Sequence, residues 1–145
     1  MAKTSLHDGS ELKVIFSDEF NNAGRAFYPG DDSCQEVVDL HYWQTGNLEW
    51  YDPTAITTKD GALKITLSRK EIHDLNYQGG MATSWNQLYS TGGYIKVVMT
   101  LSGPDRIAGL WPTIWAMGNL GRAGYGASLG GTVRLRYAKR NVVGC

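Results

Sequence analysis

Two alternating runs meet at an Asp-Gly pair in this chain, and that junction constrains its folding more than any other feature. Ala55-Ile56-Thr57-Thr58-Lys59 precedes Asp60-Gly61, and Ala62 to Ser68 follows. In the second run Leu63, Ile65 and Leu67 fall on one face and Lys64, Thr66 and Ser68 on the other, because successive strand side chains point to opposite faces. Asp-Gly supplies the positive-φ residues that a two-residue hairpin turn requires. A β-hairpin is therefore expected here.

The same period of two recurs elsewhere. Leu12 to Phe16 reads as a strand, ended by Ser17-Asp18-Glu19, with Asp18-Glu19 tying down a turn between Phe16 and Phe20. Gly92-Gly93 opens a third strand, Tyr94 to Leu101, which Ser102-Gly103-Pro104-Asp105 closes with turn chemistry. Leu110 to Met117 reads as a strand with Trp111, Thr113 and Trp115 on one face and Pro112 near its start. A short amphipathic helix with Trp111 and Trp115 one turn apart is the competing reading. Strands parted by Gly-rich turns, with no strong helix, indicate an all-β sandwich. The 18 Gly, eight Tyr and five Trp agree with that class.

Composition excludes several functions. A chain of 145 residues fits one domain and can bury roughly 68–70% of its unfolded surface. Lys+Arg and Asp+Glu both number 14, so the phosphate-neutralising excess of a nucleic-acid binder is missing. No apolar run nears the roughly 20 residues that span a bilayer, so no membrane contact by this chain is expected. The N-terminus has no apolar signal-peptide stretch, which implies a cytoplasmic location if the chain is expressed as written. Two cysteines and the scattered His7, His41 and His73 lack the spacing of a zinc site, and no metal or other cofactor is expected. Cys34, flanked by Asp31, Asp32, Ser33, Gln35 and Glu36, is expected on an exposed loop. Residues 129–145 carry Arg134, Arg136, Lys139 and Arg140 and no acid, a charge of +4 against −4 for the rest. That break sets a junction near residue 129.

Longer runs carry a resemblance. Phe16-Ser17-Asp18-Glu19-Phe20, Asn47-Leu48-Glu49-Trp50-Tyr51, Thr91 to Ile95 and Gly109 to Trp115 resemble glycoside hydrolase family sixteen, the β-jelly-roll glucanases. Phe27 to Asp32, Val38 to Thr45, Leu75 to Met81 and Met117 to Tyr125 are similar to the fungal β-1,6-glucan synthesis-associated branch of that family. The resemblance implies a partial, concanavalin-like β-jelly-roll sandwich. About five strands are legible against about eight in a jelly roll, so its C-terminal strands are expected to be missing. Three regions follow: an N-terminal extension over 1–12, the N-terminal portion of the hydrolase-like domain over 13–128, and a divergent basic tail over 129–145. The tail reads either as out-of-frame or intron-derived sequence, or as a divergent strand with a basic edge.

The resemblance implies a parent protein that hydrolyses or transfers glucosyl bonds of cell-wall β-glucan, in the secretory pathway or at the cell surface. A retaining glycosidase needs two carboxylates about 5–5.5 Å apart. The family sets them on one strand in a Glu-x-Asp-x-Glu motif, where alternate residues face the same way. That motif is absent from the chain. No catalytic residue is assigned, and the chain alone is expected to be inactive. A non-catalytic β-glucan-binding module is the alternative.

The resemblance places six residues at a glucan cleft. Trp111 and Trp115 would stack on glucosyl rings, with sheet-face packing as the other reading. Asn47, Glu49 and Trp50 border the cleft in the family, or else form a polar turn between strands. Gln78 would hydrogen-bond a sugar hydroxyl, beside Gly79-Gly80, which permits close backbone approach or positive φ. The Gly-rich stretch 118–126 lacks a nucleotide loop's pattern and reads as a cleft-rim loop. β-Glucan is the expected partner.

Overall fold

A computed structural model describes residues 3–118 and 121–128. Among them run eight short strands: β1 (Lys3–Thr4), β2 (Glu11–Leu12), β3 (Glu36–Val37), β4 (Glu49–Tyr51), β5 (Ile56–Lys59), β6 (Ala62–Ile65), β7 (Tyr77–Gly79) and β8 (Ala82–Thr83). Single 3-10 turns at Trp43–Thr45, Pro53–Ala55 and Gly126–Ser128 are the helical elements. The fold is all-β. Its described strands pair as four two-stranded sheets, not as the two packed sheets of a jelly roll.

The Asp60-Gly61 hairpin forms in the expected place. Both residues take positive φ, 55° and 70°, which matches the turn's twist to that of the flanking strands. Ile56 faces Ile65 and Lys59 faces Ala62 across β5 and β6. Strand β6 stops at Ile65, three residues short of the expected Ser68. The buried face of the hairpin is that of Ile56 and Thr58, whereas Ile65 and Leu67 stay exposed.

Ile56 joins Phe27 and Val37 in the core cluster, with Phe20, Leu63 and Ala82 packed against it. The hairpin thereby meets the antiparallel pair β3–β8, where Val37 faces Ala82. Gly80 makes this approach possible. A Cβ there would lie 2.6 Å from Ile56 Cγ1, closer than packed carbons tolerate. Of the two roles expected for Gly79-Gly80, close approach is the one realised, and neither residue has positive φ.

Arg25 ties the N-terminal segment to this core. Its guanidinium donates to Asp18 Oδ2 at 2.7 Å and to Asp32 Oδ2 at 2.5 Å, and its backbone N–H donates to Thr58 Oγ1 at 2.9 Å. Burial raises the Asp32 carboxyl, but backbone N–H groups of Cys34 and Gln35 and the Arg25 side chain outweigh it and hold the group below its ordinary value. Asp18 caps its own turn by accepting from Phe20 N at 2.8 Å, as expected. Cys34 departs from its expected exposed loop. It is 6% exposed, because Asp32 Oδ1 accepts from the Cys34 and Gln35 backbones and folds the segment inward.

Two expected strands are not formed. Residues 94–101 and 110–117 are neither strand nor helix, and all of them are exposed. Alternation specifies a strand only where a neighbour completes the ladder of N–H and C=O bonds. Among the described residues no backbone bond pairs either run with another segment. The Leu12–Phe16 strand likewise shrinks to Glu11–Leu12, paired with β1. Among the described residues no helix is long and apolar enough to cross a membrane. The expectations for 129–145 lie outside the described residues.

Candidate functional site

The most organised polar cluster gathers around Asn47. The 3-10 turn Trp43–Thr45 ends at Gly46, whose φ of 69° reverses the chain and delivers Asn47 to the start of β4. Residues 47, 49 and 51 then alternate onto one face. Asn47 Nδ2 donates to Glu49 Oε1 at 2.9 Å and to the Tyr51 hydroxyl at 2.7 Å. Its Oδ1 accepts from Thr45 Oγ1 at 2.5 Å, and its backbone carbonyl accepts from His41 Nε2 at 2.9 Å. Both amide hydrogens and the amide oxygen are thus engaged, which fixes the Asn47 rotamer.

Burial, then the negative charge of Glu49, push the Tyr51 phenol above its ordinary value of 10. The Tyr42 and Tyr51 rings lie 6.4 Å apart and tilted, while Trp43 stands exposed on the turn. The outcome is a half-buried carboxylate, Glu49, held in place beside aromatic surface.

Strand β4 pairs in parallel with β7, and Trp50 faces Gln78. These two share the opposite face from Glu49. The Trp50 indole N–H donates to Asp39 Oδ1 at 2.6 Å, and the His73 and Trp50 ring centroids lie 4.0 Å apart with the rings tilted by 37°. His73 and Asp74 both have positive φ, 48° and 63°, in the tight turn between Ile72 and Leu75.

Gln78 corrects its expected role. It is 7% exposed, its Nε2 donates to Thr54 Oγ1 at 3.0 Å, and its Oε1 accepts from Ser68 Oγ at 3.3 Å. Both ends of the amide are occupied in the interior, so Gln78 braces β7 against the Asp52–Thr54 turn. Trp111 and Trp115 are 88% and 46% exposed. Neither shares a strand face with the other, because no strand forms there. Among the described residues no hydrogen bond or ring contact joins them to the Asn47 cluster.

The structure therefore brings Asn47 and Glu49 together, sets Trp50 behind them, buries Gln78, and leaves the two downstream tryptophans apart. Tyr51, Thr45 and His41, which complete the cluster, went unrecognised in the sequence. The alternation 47/49/51 was the available signal for Tyr51. Nothing local marks His41, whose contact depends on the Gly46 reversal. Among the described residues no three His, Cys, Asp or Glu side chains come together as metal ligands.

Comparison with known proteins decides the family. A family model described as "Beta-glucan synthesis-associated protein SKN1/KRE6/Sbg1" matches residues 1–143. The chain belongs to that family. The SKN1/KRE6/Sbg1 match runs past residue 128, where the resemblance was expected to stop, and takes in most of the basic tail. The beta-glucan synthesis-associated protein SKN1 of Saccharomyces cerevisiae is 49% identical over 131 residues, 90% of this chain and 17% of the relative. KRE6 of Candida albicans is 46% identical over 129 residues, 89% of this chain and again 17% of the relative. SKN1 of Candida albicans is 48% identical over 124 residues. The chain thus spans about a sixth of the length of these curated family members. No solved structure matches it.

Proposed function

We propose that this chain supplies a glucan-contacting surface of a fungal β-glucan synthesis-associated protein, and that the whole protein acts on cell-wall β-glucan as a glucosidase or transglycosidase. The Asn47 cluster carries this reading. A rotamer-locked amide positions the Glu49 carboxylate beside the half-buried Tyr51 and Tyr42 rings, which suits a polymer of hydroxyl groups and apolar ring faces. The names of the family members, beta-glucan synthesis-associated proteins, support the choice of polymer.

The cluster offers one carboxylate, whereas double displacement needs two about 5–5.5 Å apart. Its role in this chain is binding. In the whole protein we place the reacting acids on a hydrolase-like sheet continuous with these strands, at the cell surface or in the secretory pathway. Trp111 and Trp115 remain available as stacking faces for the same polymer.

The test is retention of the full chain on insoluble laminarin and pustulan. Retention that Glu49→Gln or Asn47→Ala weakens supports the reading, and no retention on either polymer overturns it. Cleavage or transfer by this chain alone, abolished by replacing one of its own carboxylates, would overturn the non-catalytic role.

A further inference from the structure

The loop 121–128 closes on itself and then onto the body. Ser128 Oγ accepts from Arg122 N at 2.7 Å and donates to Arg122 O at 2.9 Å, while Ser128 N donates to Tyr125 O at 3.0 Å. Gly124 sits so near Leu40 that a Cβ would lie 2.9 Å from its methyl groups. The Arg122 guanidinium carbon lies 4.3 Å from the Trp85 ring centroid and 3.8 Å from that of Tyr125. One cation thereby holds the loop's own ring and latches it to the segment after β8.

Between this loop and residues 36–40 lies a pocket of about 280 Å³, near the low end of the ~300–1,000 Å³ of small-molecule sites. Tyr125, Tyr28, Leu40 and Pro53 give it ring and apolar faces, Glu36 and Asp39 give it two carboxylates, and Arg122 lines it with a guanidinium already packed on Trp85 and Tyr125. Asp39 Oδ1 is already occupied by the Trp50 indole at 2.6 Å. That bond orients the carboxylate and leaves Oδ2 for another donor.

We propose that this pocket is a separate saccharide site that takes one hexopyranose ring. A pyranose has an apolar C–H face for Tyr125 and hydroxyl donors for the two carboxylates. An anionic ligand would meet two carboxylates, Glu36 and Asp39, against the single guanidinium of Arg122, which is already shared between the Trp85 and Tyr125 rings. A wholly apolar ligand would strip water from both carboxylates without replacing their hydrogen bonds. The assignment of the ring as a β-linked glucosyl unit rests on the β-glucan reading above; the fit to a pyranose does not. Asp39 connects this pocket to Trp50 on β4, the strand that carries Glu49 on its other face.

The experiment titrates the full chain with gentiobiose and laminaribiose, with mannose as a control, and follows backbone amide shifts of residues 36–40 and 121–125. Saturable shifts at both segments are expected, with at least a tenfold loss of affinity in Tyr125→Ala and in Asp39→Asn and little change in Lys64→Ala, on the exposed strand β6. Tyr125→Phe keeps the ring and is expected to bind nearly as well as the parent, which separates ring stacking from damage to the loop. Equal shifts with mannose support the pyranose site and remove the glucosyl assignment. Retention on pustulan without shifts at these segments overturns the pocket and leaves the polymer reading standing. Disaccharide shifts in a chain that no polymer retains support the pocket and overturn that reading.

Discussion

The side-chain amide of Asn47 donates to Glu49 Oε1 at 2.9 Å and also reaches the Tyr51 hydroxyl. Asn47, just before β4, and Glu49 and Tyr51 on it therefore act as a unit. Removing the amide with Asn47→Ala leaves a carboxylate and a phenol without their common donor. A loss of roughly 1–3 kcal/mol in stability follows from a lost hydrogen bond to a charged group. Denaturant unfolding measures it, and an unchanged midpoint would show the cluster to be loosely held.

Tyr51 reports on the same unit by its titration. Its phenol is neutral in the folded chain to a higher pH than the ordinary 10, through burial and the Glu49 charge. The folded value is raised, so the stability it contributes is fully present below pH 10 and is lost as pH rises through the folded value. Glu49→Gln removes the charge and is expected to move the phenol back down, leaving the burial effect. Tyrosine-selective carbon-13 spectra across pH 9–12 check this, and a Tyr51 resonance indifferent to Glu49→Gln would contradict it.

Arg25 faces two carboxylates, and acid should expose that dependence. Asp32 is held below its ordinary value, so its contribution is present above about pH 4 and is lost as pH falls through its lower folded value. Hydrogen bonding to Asp18, the largest effect, and then to Asp32 raises the Arg25 guanidinium against its own burial, so Arg25 stays charged throughout. Arg25→Ala is expected to destabilise by roughly 1–3 kcal/mol at neutral pH and to flatten the acid limb. Urea midpoints at pH 3 and pH 6 for both chains give the comparison.

Gly80→Ala tests how tightly the hairpin meets β3–β8. A methyl group there meets Ile56 Cγ1 at 2.6 Å, and overpacking of this kind costs about 1–3 kcal/mol. Ile56→Val in the same chain should recover part of the loss by making room. No recovery would place the strain in the backbone.

Residues 94–117 leave Ile95, Val98, Ile107 and Trp111 exposed without a strand partner. Unpaired extended segments of this composition invite association with other chains. The isolated chain is expected to bind ANS strongly and to associate with rising concentration, as seen by light scattering. A monodisperse chain with a sharp cooperative melt would contradict it.

The hairpin at Asp60-Gly61 could be read directly, because its turn residues, alternation and pairing all lie within a dozen positions. Phe16 to Phe20 was legible as a turn for the same reason. Gln78 reads in the sequence as an amide for a sugar hydroxyl, whereas the structure engages it inside the protein. Its partner Thr54 lies 24 residues away, and no local pattern distinguishes an amide aimed inward from one aimed at solvent. Cys34 was misplaced because its acidic neighbours suggested solvent, whereas Asp32 and Asp18 turn inward to meet Arg25. Trp111 and Trp115 were assigned one face by alternation, yet a face exists only once a sheet is formed.

From its amino acids alone the chain declared an all-β class, one hairpin, a likeness to β-glucan synthesis-associated proteins, and the absence of a Glu-x-Asp-x-Glu run. Each of these is carried by residues adjacent or nearly adjacent in the chain. Tertiary structure alone decided that Asn47 holds Glu49 and Tyr51 with help from His41, that Arg25 bridges Asp18 and Asp32, and that Arg122 lies over both Trp85 and Tyr125. Those outcomes depend on which distant groups displace water from one another, and a side chain's partner is chosen only when the backbone has closed.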